Sequence, residues 1–151
     1  MEHPKDLLNN ALKDAMKNKD NQRRDVLRLL TSAIKQVEVD TQKELTPEQV
    51  IDVLQKEAKK RRESISELTS AGRAEQAAAE QYELSVLEEF LPKQLTTDEL
   101  RALIQAAIAQ VGATSGKDMG KVMGVIQPQT KGRADGKLVS QLVKEMLDSL
   151  S

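Results

Sequence analysis

The chain has 151 residues, of which 31% are charged and 38% are hydrophobic, so it can build one domain or two small ones. It has no cysteine, one histidine (His3) and two aromatic residues, Tyr82 and Phe90. These counts exclude disulfides and cysteine-ligated metal sites, and they argue against a histidine-rich metal site or a Ser-His-Asp triad. Two aromatic residues are too few for the stacking surface of an RRM or an OB-fold. The composition therefore favours a binding or accessory protein without cofactor or metal over a self-sufficient enzyme.

The chain carries no sequence signal for a membrane or for secretion. It has no run of 18 apolar residues, so no membrane span is predicted. Residues 1–6 are polar and lack the apolar segment of a secretory signal. With no cysteine either, the cytoplasm is the expected compartment.

Apolar residues repeat at helical spacing through the first half of the chain. This spacing predicts helices around residues 7–16, 26–37, 47–72 and 74–89. The third helix has the clearest start, because Thr46 can cap it, Pro47 suits its first position and Gln49 completes a capping box. Gly72 is a natural residue to end it, and Pro92 stops the fourth.

Three shorter helices are predicted after Pro92. A second capping box, Thr96 with Glu99, begins a helix that ends before Gly112. A short helix follows over residues 117–126, which Pro128 is expected to end, and a last helix covers residues 136–150. No segment alternates like a strand. We therefore predict an all-α protein, with an N-terminal helical-hairpin subdomain (residues 1–91) followed by a small three-helix C-terminal domain (residues 95–151).

Charge is distributed unevenly along the chain. Residues 1–91 hold 15 basic and 18 acidic side chains, a net charge of −3, whereas residues 92–151 hold 8 and 6, a net charge of +2. Residues 117–137 alone have a net charge of +3. Such a local basic patch is what phosphate binding requires in a chain with an overall charge of −1. The candidate RNA-binding residues are Lys117, Lys121, Lys131, Arg133 and Lys137.

Three glycines in this basic region lie four residues apart. Gly116, Gly120 and Gly124 share a face if they belong to one helix, and each glycine inside a helix costs about 1 kcal/mol relative to alanine. Close approach of another backbone would explain such a face. One interpretation is tight packing of a neighbouring helix. The other is that a phosphate–sugar backbone approaches there, beside Lys117 and Lys121.

The loop before the last helix also has two interpretations. Residues 132–137 place the start of a helix next to Lys131, Arg133 and Lys137, and a helix start can bind an anion. Alternatively, Asp135 is the N-cap and the loop is an ordinary capped connection. Residues 114–117 lack the spacing of a Walker A loop, so no nucleotide site is predicted there.

A second basic cluster lies in the third helix. It consists of Lys56, Lys59, Lys60, Arg61 and Arg62, and Arg23, Arg24 and Arg28 of the preceding helix are possible additions to it. Either the cluster is a solvated or salt-bridged face, or it contacts phosphates. The same helix carries a narrow apolar seam from Val50 to Leu68 that offers a site for a protein partner or a second copy. No pair of carboxylates is marked as a general acid and base, so no catalytic residue is predicted.

Several motifs together resemble the GatB/YqeY family. They are residues 91–95 (LPKQL), 118–124 (DMGKVMG) and 131–139 (KGRADGKLV), and residues 60–65 and 71–73 resemble the N-terminal half of its YqeY-like branch. The resemblance covers nearly the whole chain. Residues 95–151 are also similar to the C-terminal domain of the B subunit of the aspartyl/glutamyl-tRNA amidotransferase.

The resemblance implies an all-helical protein whose tail domain contacts tRNA. It also implies a carbon–nitrogen ligase activity with glutamine as amido-N-donor. Our leading hypothesis is a non-catalytic accessory protein that binds tRNA or a tRNA-bound enzyme through its basic C-terminal part. The alternatives are a helical protein-interaction module and, from the resemblance alone, the ligase activity itself.

Overall fold

A computed structural model describes residues 3–150. These residues form seven α-helices and one 3₁₀ turn, with no β-strand among them. The prediction of an all-α fold is therefore confirmed for this part of the chain. In chain order the elements are α1 (Pro4–Lys17), α2 (Asn21–Thr41), α3 (Pro47–Ser70), α4 (Ala74–Glu88), α5 (Thr97–Val111), the 3₁₀ turn (Gly116–Asp118), α6 (Met119–Thr130) and α7 (Gly136–Asp148).

Most helix boundaries follow from local capping chemistry. Thr46 and Gln49 form both halves of a capping box at the start of α3, and Thr96 and Glu99 do the same at α5. Gly112 ends α5 in the left-handed conformation that an L side chain avoids, with φ of 67°. These starts and ends lie where the sequence predicts them.

The expected end of α6 at Pro128 is wrong, because the helix continues to Thr130. Proline has no N–H and so cannot donate the usual bond to the carbonyl of Gly124, but only that one bond of the ladder is lost. The chain beyond stays helical: the Thr130 hydroxyl donates to the Ile126 carbonyl over 3.1 Å, and the Lys131 N–H donates to the Gln127 carbonyl over 3.0 Å.

The structure divides into two compact units, with the division after Pro92. In the N-terminal unit, short connections join α1 to α2 and α3 to α4, and each pair packs as a helical hairpin. One aliphatic core holds the four helices together; Val50, Leu54 and Ala58 of the α3 seam are part of it, and Ile65 packs against it. Its most deeply buried members are Leu8, Leu27, Leu30, Val50, Leu54, Ala58, Val86 and Leu87.

Hydrogen bonds and an ion pair connect the start of α1 to the end of α2 and the loop that follows it. His3 is the N-cap of α1: its Nδ1 accepts the Lys5 N–H over 3.2 Å, and its Nε2 donates to the Leu45 carbonyl over 3.1 Å. The Glu38 carboxylate accepts from Lys5 Nζ over 2.8 Å and from the Leu45 N–H over 2.9 Å. These two bonds, the Lys5 bond first, hold the pKa of Glu38 below its usual value.

The C-terminal unit begins at Lys93 and has its own core. Helices α5, α6 and α7 pack against one another, and the 3₁₀ turn contacts α6 and α7. The core is again aliphatic, and its least exposed members are Leu100, Ile104, Val122, Ile126, Val143 and Leu147. No helix within residues 3–150 combines the length and the apolar character needed to cross a membrane.

We expect Thr46→Ala to destabilise the protein by about 1 kcal/mol, because it removes the acceptor for the Gln49 N–H at the start of α3. Thr69→Ala is the matched control, since its hydroxyl only donates to the Ile65 carbonyl inside the same helix. Urea denaturation followed by circular dichroism measures both changes. An equal loss in the two variants would contradict the role given to the cap.

We also expect Glu38→Gln to lower stability at neutral pH and to lose this effect in acid. The folded protein holds the pKa of Glu38 below its unfolded value, so its charge stabilises the fold above that value, and the stabilisation is lost as the pH falls through the folded pKa. Thermal unfolding from pH 7 down to pH 3 measures the difference between variant and parent. A difference that is independent of pH would show that packing, not charge, is responsible.

Candidate nucleic-acid interface

Helix α6 has one buried face and one open face. Val122, Ile126 and Thr130 point into the core of the C-terminal unit. Lys121, Gly124 and Pro128 lie on the opposite side and are exposed. The helix has 12 residues and is about 18 Å long at 1.5 Å per residue. It therefore presents a long surface that carries few bulky side chains.

The five candidate cations lie at the two ends of this helix. Lys117 is on the 3₁₀ turn and Lys121 is in the first turn of α6, whereas Lys131 and Arg133 follow its last turn and Lys137 is in the first turn of α7. The four lysines are exposed and Arg133 is half-buried. The structure thus forms two groups, a front group (Lys117 and Lys121) and a rear group (Lys131, Arg133 and Lys137).

Only one of these cations is paired with a carboxylate among residues 3–150. Lys121 Nζ lies 3.9 Å from Asp118 Oδ1, and the other four have no described carboxylate within ion-pair distance. Asp118 Oδ2 also accepts the Thr114 N–H over 2.9 Å, which is the main reason that the pKa of Asp118 is lowered. Asp118 therefore remains charged, closes the loop before α6 and weakly offsets the charge of Lys121.

The loop that carries Arg133 is fixed by the segment that begins the unit. The Leu95 N–H donates to the Arg133 carbonyl over 2.8 Å, and the Gln94 side-chain amide donates to the Gly132 carbonyl over 3.0 Å. In return, Arg133 Nε donates to the Lys93 carbonyl over 3.3 Å. Gly132 has a φ of 79°, so the turn requires a residue that tolerates a positive angle. Arg133 therefore lies on a loop that these hydrogen bonds hold in place.

Asp135 caps α7, as the sequence predicts. Its Oδ1 accepts the Lys137 N–H over 3.2 Å. One of the backbone donors that an anion would need at this helix start is therefore already used. The loop is therefore a capped connection between α6 and α7. Any anion here would be held by the side chains of Lys131, Arg133 and Lys137 rather than by the backbone.

The three glycines do not share one helix, which corrects the sequence interpretation. Gly116 belongs to the 3₁₀ turn, where a β-carbon would lie 3.4 Å from Asp148 Oδ1. Gly120 and Gly124 do lie on one exposed face of α6, but a β-carbon at either would meet nothing within 4 Å. Packing of a neighbouring helix is therefore the wrong explanation for these two. Close approach of an external backbone stays a prediction.

Part of the basic cluster of the N-terminal unit is paired with carboxylates, namely Arg23, Arg24, Lys60 and Arg61. The Arg61 side chain is 13% exposed and lies 3.6 Å from both Glu57 and Glu83. Arg23 on α2 makes a bidentate pair with Glu89, at 2.7 and 3.0 Å. Of the two interpretations of this cluster, the salt-bridged face therefore applies to Arg61 and Arg23. Burial of Arg61 in this way could not be read from the sequence, because Glu83 comes from a different helix.

The described residues contain no group of three or more histidine or acidic side chains arranged to hold a metal ion. Sequence reasoning missed Lys93, Gln94 and the anchoring of the Arg133 loop. The LPKQL motif is visible in the sequence as a boundary, but nothing in the local pattern shows that it pairs with a loop about 40 residues away.

We expect Gly124→Ala to raise the stability of the C-terminal unit by about 1 kcal/mol. The position is inside α6, is exposed and has open space for a β-carbon, so only the higher helix propensity of alanine acts. Gly116→Ala is the contrasting variant, because its β-carbon meets Asp148. Differential scanning calorimetry compares the two. A loss of stability in Gly124→Ala would contradict the open face described here.

One known protein family matches this chain. The family model described as Yqey-like protein matches residues 5–147, and so spans both units. No curated protein matches the chain. Because the family model covers nearly all of the sequence, the chain belongs to the YqeY-like family.

Proposed function

We propose that this YqeY-like protein is a non-catalytic accessory protein that binds tRNA, or a tRNA-bound enzyme, through its C-terminal unit. The observation that carries the proposal is the placement of five cations around α6, four of them without a carboxylate partner among residues 3–150. Unpaired surface cations attract phosphates at long range and release counterions when they bind. A location in the cytoplasm, where tRNA functions, is part of the proposal.

The geometry of α6 supports a phosphate backbone as the ligand. The front and rear groups are separated by about the 18 Å length of the helix, so they contact different phosphates of an extended ligand. Between them, Gly120 and Gly124 leave the helix surface bare. A sugar–phosphate chain lying along this face would meet cations at both ends, with the two glycines and Pro128 between them.

The absence of catalysis is proposed from the residues that the chain offers. It has no cysteine, and both ring nitrogens of its one histidine are engaged in capping α1 and in binding Leu45. We therefore propose that the ligase activity implied by the family resemblance is not an activity of this chain alone. Ammonia release from glutamine by the isolated protein, in the presence of ATP and charged tRNA, would argue for the enzymatic alternative.

A protein-interaction module is the second candidate, and one observation favours it. Leu29 and Val39 on α2 are 53% and 59% exposed, so two large apolar side chains of this helix are accessible to a partner. The first part of the predicted seam of α3 is not available for this purpose, because Val50, Leu54 and Ala58 are buried in the core. Light scattering and a pull-down from RNase-treated lysate separate this candidate from tRNA binding.

A salt titration of tRNA binding tests the leading proposal. Five phosphate contacts predict a slope of log K against log salt of up to about −4.5, at roughly 0.9 per contact. The double variant Lys131→Ala/Arg133→Ala is expected to make the slope less steep by up to about 1.8. The matched control is Lys13→Ala/Lys17→Ala, which removes two exposed lysines from α1. Failure to bind at low salt, or equal slopes in the two double variants, would overturn the proposal.

A further inference from the structure

Residues 93–95 begin the C-terminal unit and are hydrogen-bonded to the loop that carries Arg133. Residues 93–95 make three hydrogen bonds with Gly132 and Arg133, of 2.8, 3.0 and 3.3 Å, and two of them use backbone groups of the segment. Because the bonds involve three consecutive residues, they fix the position of the segment along the loop of Gly132 and Arg133.

These bonds determine which part of Arg133 is available to a ligand. Its Nε donates to the Lys93 carbonyl, and its own carbonyl is held by the Leu95 N–H. The guanidinium group is therefore anchored through its inner nitrogen. The two terminal nitrogens remain for an external acceptor, and their fork geometry matches the oxygens of a phosphate.

The same bonds bring the positive charge of Lys93 to this site. Lys93 is exposed, and neither it nor Arg133 has a carboxylate within ion-pair distance among the described residues. Both charges act on Glu99, whose pKa is lowered first by the Thr96 N–H and the Thr96 hydroxyl and then by Lys93 and Arg133. The Glu99 carboxylate is committed to its capping box, where Oε1 accepts the Thr96 N–H over 3.1 Å.

We propose that Lys93 is a further phosphate-contacting residue and that Gln94 is a positioning residue for Arg133. Residues 93–95 and the loop of Gly132 and Arg133 together form one site for a phosphodiester group. This inference rests on the proposed binding of RNA, and it adds a residue outside the basic region of 117–137. The ligand is recognised by its phosphates.

Two variants separate the two roles. Lys93→Gln removes one phosphate contact, so tRNA affinity falls about eightfold at 0.1 M salt and the salt slope loses up to about 0.9. Gln94→Ala removes no charge, so affinity falls while the slope stays unchanged. The NMR signal of the Arg133 Nε–H group is expected to shift in Gln94→Ala, measured without RNA. Lys13→Gln on α1 is the charge-matched control and leaves affinity and slope as in the parent protein.

The outcomes distinguish this inference from the proposed function. If the parent protein binds tRNA with a slope that depends on Lys131 and Arg133, but Lys93→Gln behaves like Lys13→Gln, only the contact by Lys93 is wrong. An unshifted Arg133 signal in Gln94→Ala, with the fold intact by circular dichroism, overturns the positioning role. If the parent protein does not bind tRNA at low salt, the proposed function and this inference both fail.

Discussion

Burial of aliphatic side chains along one stripe of each helix is the interaction on which the rest of the structure depends. The chain has two aromatic residues and no cysteine, so leucine, isoleucine, valine and alanine must supply both cores. Burying one such large side chain contributes about 1.5–3 kcal/mol, which makes each stripe decisive in a small unit. Because the stripes are narrow, each helix keeps a face outside the core. The surfaces that are free for binding are the faces that these stripes leave outside.

Local chemistry explains how much of the fold could be predicted from the sequence. Caps act over three or four residues, so Thr46 with Gln49 and Thr96 with Glu99 mark helix starts without any knowledge of tertiary structure. The expected helix end at Pro128 is wrong because it, too, considers only neighbouring residues. A proline removes one hydrogen bond, but the neighbouring Ile126 and Thr130 are buried on the core side of α6 and keep the last turn helical. Tertiary packing outweighs local propensity there.

The parts of the site that the sequence does not reveal are those made by distant residues. Lys93 and Gln94 meet the Arg133 loop across about 40 positions, and no periodicity or spacing connects them. For the three glycines, the sequence instead suggests an arrangement that the structure does not have. A spacing of four suggests one helix face, but the chain changes from a 3₁₀ turn to α6 between Gly116 and Gly120. Spacing predicts a shared face only when the helix type is already known.

The two basic clusters show why charge counts alone do not identify a phosphate site. In the N-terminal unit, Arg61 and Arg23 are bound by Glu57, Glu83 and Glu89, and a cation with an internal carboxylate has already lost most of its attraction for an external anion. In the C-terminal unit, Asp118 and Asp135 each accept a backbone N–H, and Asp118 also lies 3.9 Å from Lys121. The distance from each cation to a carboxylate, rather than the number of charges, therefore separates the cations of α6 and its flanks from Arg61 and Arg23. A net charge of +2 on residues 92–151 is small, but almost none of the positive charge around α6 is cancelled by a close partner.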